Sequence, residues 1–338
     1  MFVINASTVA IIWFGSHLVN SGSMQIGDML AFMQYAMQVL FSILMVTMLF
    51  IMIPRAIVSS KRINEVLELD PTVKDEGNKI NSDEILKRGE IDFSNVSFSY
   101  NESTEPVLSN ISFKINKGET VAIIGGTGSG KTTLLNLMLR FYDSTEGKIT
   151  IGGHEIKDLS LNSLRNMIGY VPQKINLFSG TISENIKYGK HDATEEEVIE
   201  ASKVAQAYDF VSSLEKGFDS EVAQGGTNYS GGQKQRLSIA RAIVKKPDIY
   251  LFDDSFSALD YTTDAKLRNA LHEYTDGATV IIVAQRISTI INADNIIFID
   301  EGKIIAQGKH HELFETCEPY KEIVMSQITE EEAKNSGR

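Results

Sequence analysis

Two adjacent carboxylates, Asp253 and Asp254, end the apolar run "IYLF" within "DIYLFDDSFSALD". Neighbouring anions repel, so either a cation holds them or they do different work. Upstream lies "GGTGSGKTT", Gly125 to Thr133, between the apolar run "VAII" and the helical pattern "TTLLNLMLRFY". It contains GxxxxGKT after a strand and before a helix. Gly125, Gly126, Gly128 and Gly130, with Thr127 and Ser129 between them, let backbone N–H groups wrap a phosphate chain. Lys131 reaches the terminal phosphates, Thr132 offers an oxygen to Mg2+, and Thr133 completes the loop. Asp253, ending a buried strand beside that loop, is then placed to hold Mg2+. Asp254, one residue on, aims at the other side, where an attacking water sits; it is the candidate general base.

The elements that must position these groups can be read from periodicity. "EIDFSNVSFSY", Glu90 to Tyr100, alternates with period two and reads as a strand. "VLSNISFKINKGETVAIIGG" gives two more strands about a Lys-Gly turn. Apolar runs ending in loops recur at Met167–Val171, Ile249–Phe252, Val280–Val283 and Ile296–Ile299, with helical patterns between them. The fold class is an α/β phosphate-loop unit with a mostly parallel sheet and an antiparallel β subdomain. From Lys174 to Lys246 the pattern is polar and mostly helical, an inserted subdomain. "SQITEEEAKNSGR", Ser326 to Arg338, reads as frayed and solvated, with the flexible tail itself at 327–338.

Residues 1–69 are of another kind. Met29 to Ile53 carries no charge, and as a helix is about 37 Å long against a hydrocarbon core of roughly 30 Å. Phe2 to Val19 is a second span, interrupted by Asn5, Ser16 and His17; it lacks the positive leader of a signal peptide. Arg55, Lys61 and Arg62 follow the second span, and the connection Asn20–Gly27 has no Lys or Arg. The positive-inside rule therefore places everything after that span in the cytoplasm. The helix continues to about residue 69, a polar linker occupies 70–89, and the nucleotide-binding domain runs from 90 to 326. Gln34 and Gln38 share a helix face and read as a helix–helix contact ahead of a substrate pathway.

The chain has 338 residues, 43% hydrophobic, and a net charge of −12. A nucleic-acid-binding surface needs a basic excess, so DNA and RNA are excluded as partners. A single cysteine, Cys317, rules out an internal disulfide framework.

One more segment narrows the reading: "NYSGGQKQRLSIARA", Asn228 to Ala242, just ahead of the strand that ends in Asp253. With it the chain resembles the ATP-binding cassette (ABC) transporters, and more narrowly the C-terminal part of an exporter half-transporter. The resemblance covers essentially the whole chain. It implies ATP and Mg2+ as ligands and a cell-membrane location with the cassette in the cytoplasm. Tyr100 matches the aromatic residue that stacks on adenine. Gln173, in "YVPQ", matches the glutamine that touches Mg2+ and the attacking water. "SGTISENIKYG", Ser179 to Gly189, looks like the contact region for membrane-domain coupling helices. Ser230, Gly231, Gly232 and Gln233 match the signature that caps the γ-phosphate bound on an opposite subunit. "SALD", Ser257 to Asp260, matches the loop linking two sites across a cassette dimer.

The departures from the family are informative. Position 254 is usually Glu, and Asp is shorter by about 1.5 Å. Misplacing a catalytic group by about 1 Å can cost on the order of a hundredfold in rate. Gln285, in "VAQRIST", stands where the family has His; an amide donates a hydrogen bond but carries no charge and shuttles no proton. Gln224 stands where many exporters have Glu. The signature is nearly intact, Tyr229 replacing Leu. This pattern resembles the degenerate-site member of a heterodimeric exporter, which holds ATP at its own site and lends its signature to a partner with intact Glu and His. The family's six membrane helices are represented by at most two, which resemble the last two. A truncated chain, a misassigned start and a gene remnant all fit. The apolar, Met-rich helices suit an amphipathic substrate. Two rival functions are a regulatory or vestigial chain and a soluble cassette ATPase; the membrane span and the acidic charge argue against the second.

Overall fold

The computed structural model describes residues 2–75, 80, 85–101, 105–275, 277–329 and 333. The chain divides into two units, Met1–Pro71 and Thr72–Arg338.

The first unit is a pair of helices, α1 (Phe2–Asn20) and α2 (Ile26–Leu67). Both are long and apolar enough to cross a membrane. Pro54 lies inside α2 without ending it. The two helices pack closely at Gly15, the one buried residue of α1, where a Cβ would meet Met29 Sδ at 2.7 Å. Met33, Met37 and Leu40 are half-buried, and Thr8 Oγ1 lies 3.8 Å from Met37 Sδ. Gln34 and Gln38 are exposed, so neither glutamine joins α1 to α2. Tyr35, Gln38, Ser42 and Thr47 instead share a groove along α2.

The second unit is built on two sheets. In chain order its strands are β1 (Ile91–Phe98), β2 (Leu108–Ile115), β3 (Thr120–Ile124), β4 (Glu146–Ile151), β5 (His154–Glu155), β6 (Ile168–Val171), β7 (Gly180–Thr181), β8 (Glu221–Val222), β9 (Ile249–Asp253), β10 (Thr279–Val283), β11 (Asn295–Asp300) and β12 (Lys303–Gly308). The first sheet is antiparallel, in the order β2-β1-β4-β5; the main sheet runs β12-β11-β3-β10-β9-β6 and is parallel except at β12. This is an α/β phosphate-loop fold with a mostly parallel main sheet and an antiparallel β subdomain, as the periodicity implied.

The main sheet explains its own unbroken apolar runs: both faces are covered. Val121, Ile123, Ile249, Leu251, Ile281 and Val283 pack into one core with the antiparallel sheet. Their alternates Ala122, Ile124, Tyr250, Phe252, Val280 and Ile282 pack into the other. Helix α3 (Lys131–Met138) lies on the first face through Leu134, Leu135 and Leu137. By period two, Asp253 follows Leu251 onto that same face.

Helix α4 (Leu161–Asn166) precedes β6. The insertion between β6 and β9 holds α5 (Ile182–Lys187), α6 (Glu195–Val204), α7 (Tyr208–Ser212) and α8 (Gly231–Ile243), with the small β7–β8 pair. Helix α9 (Tyr261–Tyr274) follows β9 and α10 (Ile287–Ile290) follows β10; α11 (His310–Thr316) and α12 (Glu318–Met325) come after β12.

Two stretches expected to be solvated make specific contacts. Within 70–89, Ile85 is buried in the antiparallel-sheet core, and Ile80 bridges Leu159. Within 327–338, Gln327 is bonded to the loop after β10, Ile328 packs on the core and Ala333 is buried. Apolar residues spaced through a polar segment anchor it even where composition alone reads as solvent-facing. The remaining expectations for 330–332 and 334–338 lie outside the described residues.

Candidate functional site

Four adjacent parallel strands, β3, β10, β9 and β6, deliver their C-terminal ends to one edge of the sheet. This edge is where open α/β sheets bind ligands. From β3 comes the loop 125–130, from β10 Gln285, from β9 Asp253 and Asp254, and from β6 Gln173. A cavity of about 310 Å3 sits there. It is lined by Thr127, Gly128, Gly130, Lys131, Thr132 and Thr133, together with Gln173, Asp253, Asp254 and Gln285.

The loop owes its shape to its glycines. Gly125 passes the adjacent strand so closely that a Cβ would lie 1.9 Å from the Ile299 carbonyl oxygen. Gly130 caps α3 at φ +100°, where a Cβ would strike Leu108 at 2.5 Å. Gly130, Lys131, Thr132 and Thr133 put the N-terminus of α3 on the cavity wall, where an anion site of this kind lies. The Lys131 ammonium donates to the carbonyl oxygens of Gly125, 3.0 Å, and Gly126, 2.6 Å. Burial lowers its pKa, against the pull of Asp254 and Asp253.

The adjacent carboxylates have separate partners. Asp253 is 2% exposed. Its Oδ1 accepts from Thr132 Oγ1 at 3.1 Å, and its Oδ2 from the Tyr170 hydroxyl at 3.5 Å. Asp254 turns away because its backbone is left-handed, φ +48°. Its Oδ2 accepts from Gln285 Nε2 at 3.1 Å and from Gln173 Nε2 at 3.4 Å. Burial raises the pKa of both carboxyls. For Asp253 the neighbouring Asp254 adds to the rise, and Thr132 opposes it. For Asp254 the Gln173 amide and Lys131 oppose it. Burial likewise raises the Tyr170 phenol, with Asp253 adding.

The antiparallel sheet supplies the cavity's flank. Tyr100, just past β1, is 47% exposed, and its hydroxyl lies 3.1 Å from Thr133 Oγ1. Its ring meets Phe98 and Tyr142 edge-on, at 4.9 and 5.1 Å. Val107, ahead of β2, lines the cavity.

Ser230 to Gln233 do not line this cavity. They start α8: Ser230 Oγ accepts from the Gln233 N–H, and Gln233 Oε1 accepts from the Ser230 N–H, a reciprocal cap. Gly231 is exposed, and Gly232 is half-buried against Ala258. The Tyr229 hydroxyl donates to the Glu221 carbonyl, 3.1 Å. Gln235, 2% exposed, accepts from the Ala258 N–H. This segment and the loop 257–260 therefore form one surface.

Three contributors had little signal in the sequence. Tyr170 is marked only by parity on β6. Tyr142 reaches Tyr100 from the far end of α3. Arg286 donates to the carbonyls of Ser257, 2.9 Å, and Leu259, 3.3 Å, bracing the loop after Asp254.

Residues 108–257 match the ABC transporter family. The chain carries an ABC transporter ATP-binding domain. It is 44% identical over 328 residues to an uncharacterized ABC transporter ATP-binding protein of Mycobacterium tuberculosis (strain ATCC 25618 / H37Rv), covering 96% of this chain and 56% of that protein. It is 43% identical to the uncharacterized ABC transporter ATP-binding protein YfiB of Bacillus subtilis, covering 98% and 57%. A putative multidrug export ATP-binding/permease protein of Staphylococcus aureus (strain NCTC 8325 / PS 47) is 50% identical over 228 residues, 68% of this chain and 39% of that protein. A solved structure, that of a bacterial Atm1-family ABC exporter with ATP bound, superposes with a TM-score of 0.83 at 33% identity, covering 97% of this chain and 57% of that one. The chain spans little more than half the length of these two uncharacterized relatives. Two of these relatives carry export in their names, the Staphylococcus aureus protein and the Atm1-family structure.

Proposed function

We propose that the chain is the ATP-hydrolysing subunit of a membrane exporter, paired with a second half-transporter and slow at its own site. The observation that carries this reading is the 3.1 Å contact between Gln285 Nε2 and Asp254 Oδ2. It joins both departures from the family pattern in one bond. With Gln173 also donating, both lone pairs of that oxygen are used. The two amides fix the carboxylate's direction, but one methylene short of glutamate it is poorly placed to take a proton from water, although burial raises its pKa.

The geometry supports the following roles for the site. The backbone of loop 125–130 and Lys131 hold the phosphates. Tyr100 stacks against the base. Asp254 orients water and takes its proton, with Gln173 and Gln285 setting the carboxylate's direction. Thr132 and Asp253 fit Mg2+: a hydroxyl and a buried carboxylate 3.1 Å apart are the hard oxygen pair that ion takes, and burial together with the neighbouring Asp254 disfavours the Asp253 charge until a cation offsets it. Gln173 completes the set. When bound, the ion neutralises phosphate charge.

Ser230, Gly231, Gly232 and Gln233 serve a site on the partner, which supplies Glu and His. The capped N-terminus of α8, with Gly231 exposed beside it, suits a phosphate approached from another subunit. Helices α1 and α2 belong to a membrane domain, with Arg55, Lys61 and Arg62 on the cytoplasmic side, and an amphipathic compound is the exported substrate.

The test is the chain reconstituted with a half-transporter that has Glu and His at the two positions. Lys131→Ala is expected to leave most steady-state ATP turnover, while Ser230→Ala lowers it by at least about tenfold. Equal losses from the two substitutions contradict the asymmetry.

A further inference from the structure

Among the described residues of the C-terminal segment, Gln327 reaches the loop beside the nucleotide site. Gln327 follows α12, and its amide brackets the loop after β10. Its Nε2 donates to the Gln285 carbonyl at 2.8 Å, and its Oε1 accepts from the Ile287 N–H at 2.9 Å. Between them Arg286 is extended, φ −94° and ψ 125°. In extended backbone the C=O of one residue and the N–H two residues on face the same way. An amide side chain carries an acceptor and a donor at matching spacing, so Gln327 pairs with this loop as a neighbouring strand would.

That pairing holds the main chain of the residue whose side chain holds Asp254. Gln285 has its carbonyl on Gln327 and its amide nitrogen on Asp254 Oδ2. Next to it, Arg286 braces Ser257 and Leu259. Gln327 is itself anchored from both sides. Tyr320 and Val324 bury one face of α12, and Ile328 packs on the same core. Buried His310 ties the Tyr320 hydroxyl, 2.8 Å, to the Ala333 carbonyl, 3.1 Å.

We propose that Gln327 is a positioning residue of the nucleotide site: the C-terminal segment sets the loop after β10 and, through it, the reach of Gln285 to Asp254. The inference rests on the reading of this site as ATP-hydrolysing. It makes the segment after α12 a support of the nucleotide site.

Full-length chain in lipid nanodiscs, in excess over radiolabelled Mg-ATP, reads single-turnover hydrolysis; nucleotide titration reads affinity and thermal melting reads fold. Gln327→Ala is expected to lower the single-turnover rate about tenfold, as slack of a fraction of an ångström does, with ATP affinity within about twofold. Gln327→Glu, which keeps the acceptor and loses the donor at neutral pH, should fall between. In a Gln285→Ala background Gln327→Ala should change nothing further, because its route of action is gone. An unchanged rate in Gln327→Ala overturns the inference, as does an equal fold-loss in the Gln285→Ala background, which marks a general structural effect. Lys131→Ala separates the two levels: a rate it leaves unchanged refutes the site reading itself, and the positioning role with it.

Discussion

Replacing Asp254 by Glu should fail to restore fast hydrolysis unless Gln285 is replaced as well. In the structure Asp254 Oδ2 lies 3.1 Å from Gln285 Nε2 and 3.4 Å from Gln173 Nε2. Glutamate adds one carbon–carbon bond, about 1.5 Å. Extended along the present direction, its oxygen runs well inside the contact distance of the Gln285 amide, so the longer side chain must tilt. A tilt of about 1 Å at a catalytic group costs on the order of a hundredfold. That corresponds to about 2.7 kcal/mol at 1.36 kcal/mol per decade. Asp254→Glu alone should therefore gain less than about tenfold, and Gln285→His alone should gain little. Together they should gain about a hundredfold, a coupling of at least about 1.4 kcal/mol between contacting side chains. The assay is single-turnover hydrolysis of Mg-ATP by the full chain in nanodiscs, across the four-member cycle. An Asp254→Glu single variant as fast as the double refutes the claim that Gln285 constrains the base.

Two further outcomes follow from the buried charges. Burial raises the Asp253 pKa above 3.8, so the folded chain binds this proton more tightly than the unfolded one. Its contribution to stability therefore rises as pH falls from the folded-state value toward 3.8, and at neutral pH the ionised group is a cost. Asp253→Asn should raise the melting temperature without nucleotide while lowering Mg-dependent hydrolysis by at least about a hundredfold; a lower melting temperature contradicts this. Desolvation lowers the His310 pKa below 6.5, so the folded state keeps the imidazole neutral. The unfolded chain takes up the proton first, and stability should fall as pH drops through 6.5; melting of His310→Gln over the same range should be flatter, and parallel curves contradict it.

Much of the site was legible because period two is a strict code. Asp253 could be aimed at the phosphate loop from the parity of Ile249 and Leu251, and both lie in the core that packs α3. The glycines of 125–130 announced a loop too tight for side chains, and the contacts at Gly125 and Gly130 give the reason. What could not be read were contacts set by tertiary placement. The left-handed backbone at Asp254 separates the carboxylates more than alternation alone implies. The approach of two glutamines to one oxygen joins positions 173, 254 and 285, from three strands. Gln327 sits in a polar tail where composition points to solvent, and only the packing of α12 brings it to the loop after β10. β12 was equally silent: its residues alternate between exposed and half-buried, but Ile305 takes an exposed position and Gly308 a half-buried one, so the sequence shows no clean alternation.

Rapid ATP cleavage, on the reading proposed above, needs a second polypeptide. The decisive quantity is the steady-state turnover of the purified full chain in nanodiscs, with Mg-ATP and no second half-transporter. The expected rate is well below the roughly 1 per second at the low end of ordinary enzymes. Sustained turnover at or above that rate, abolished by Lys131→Ala, would overturn the reading.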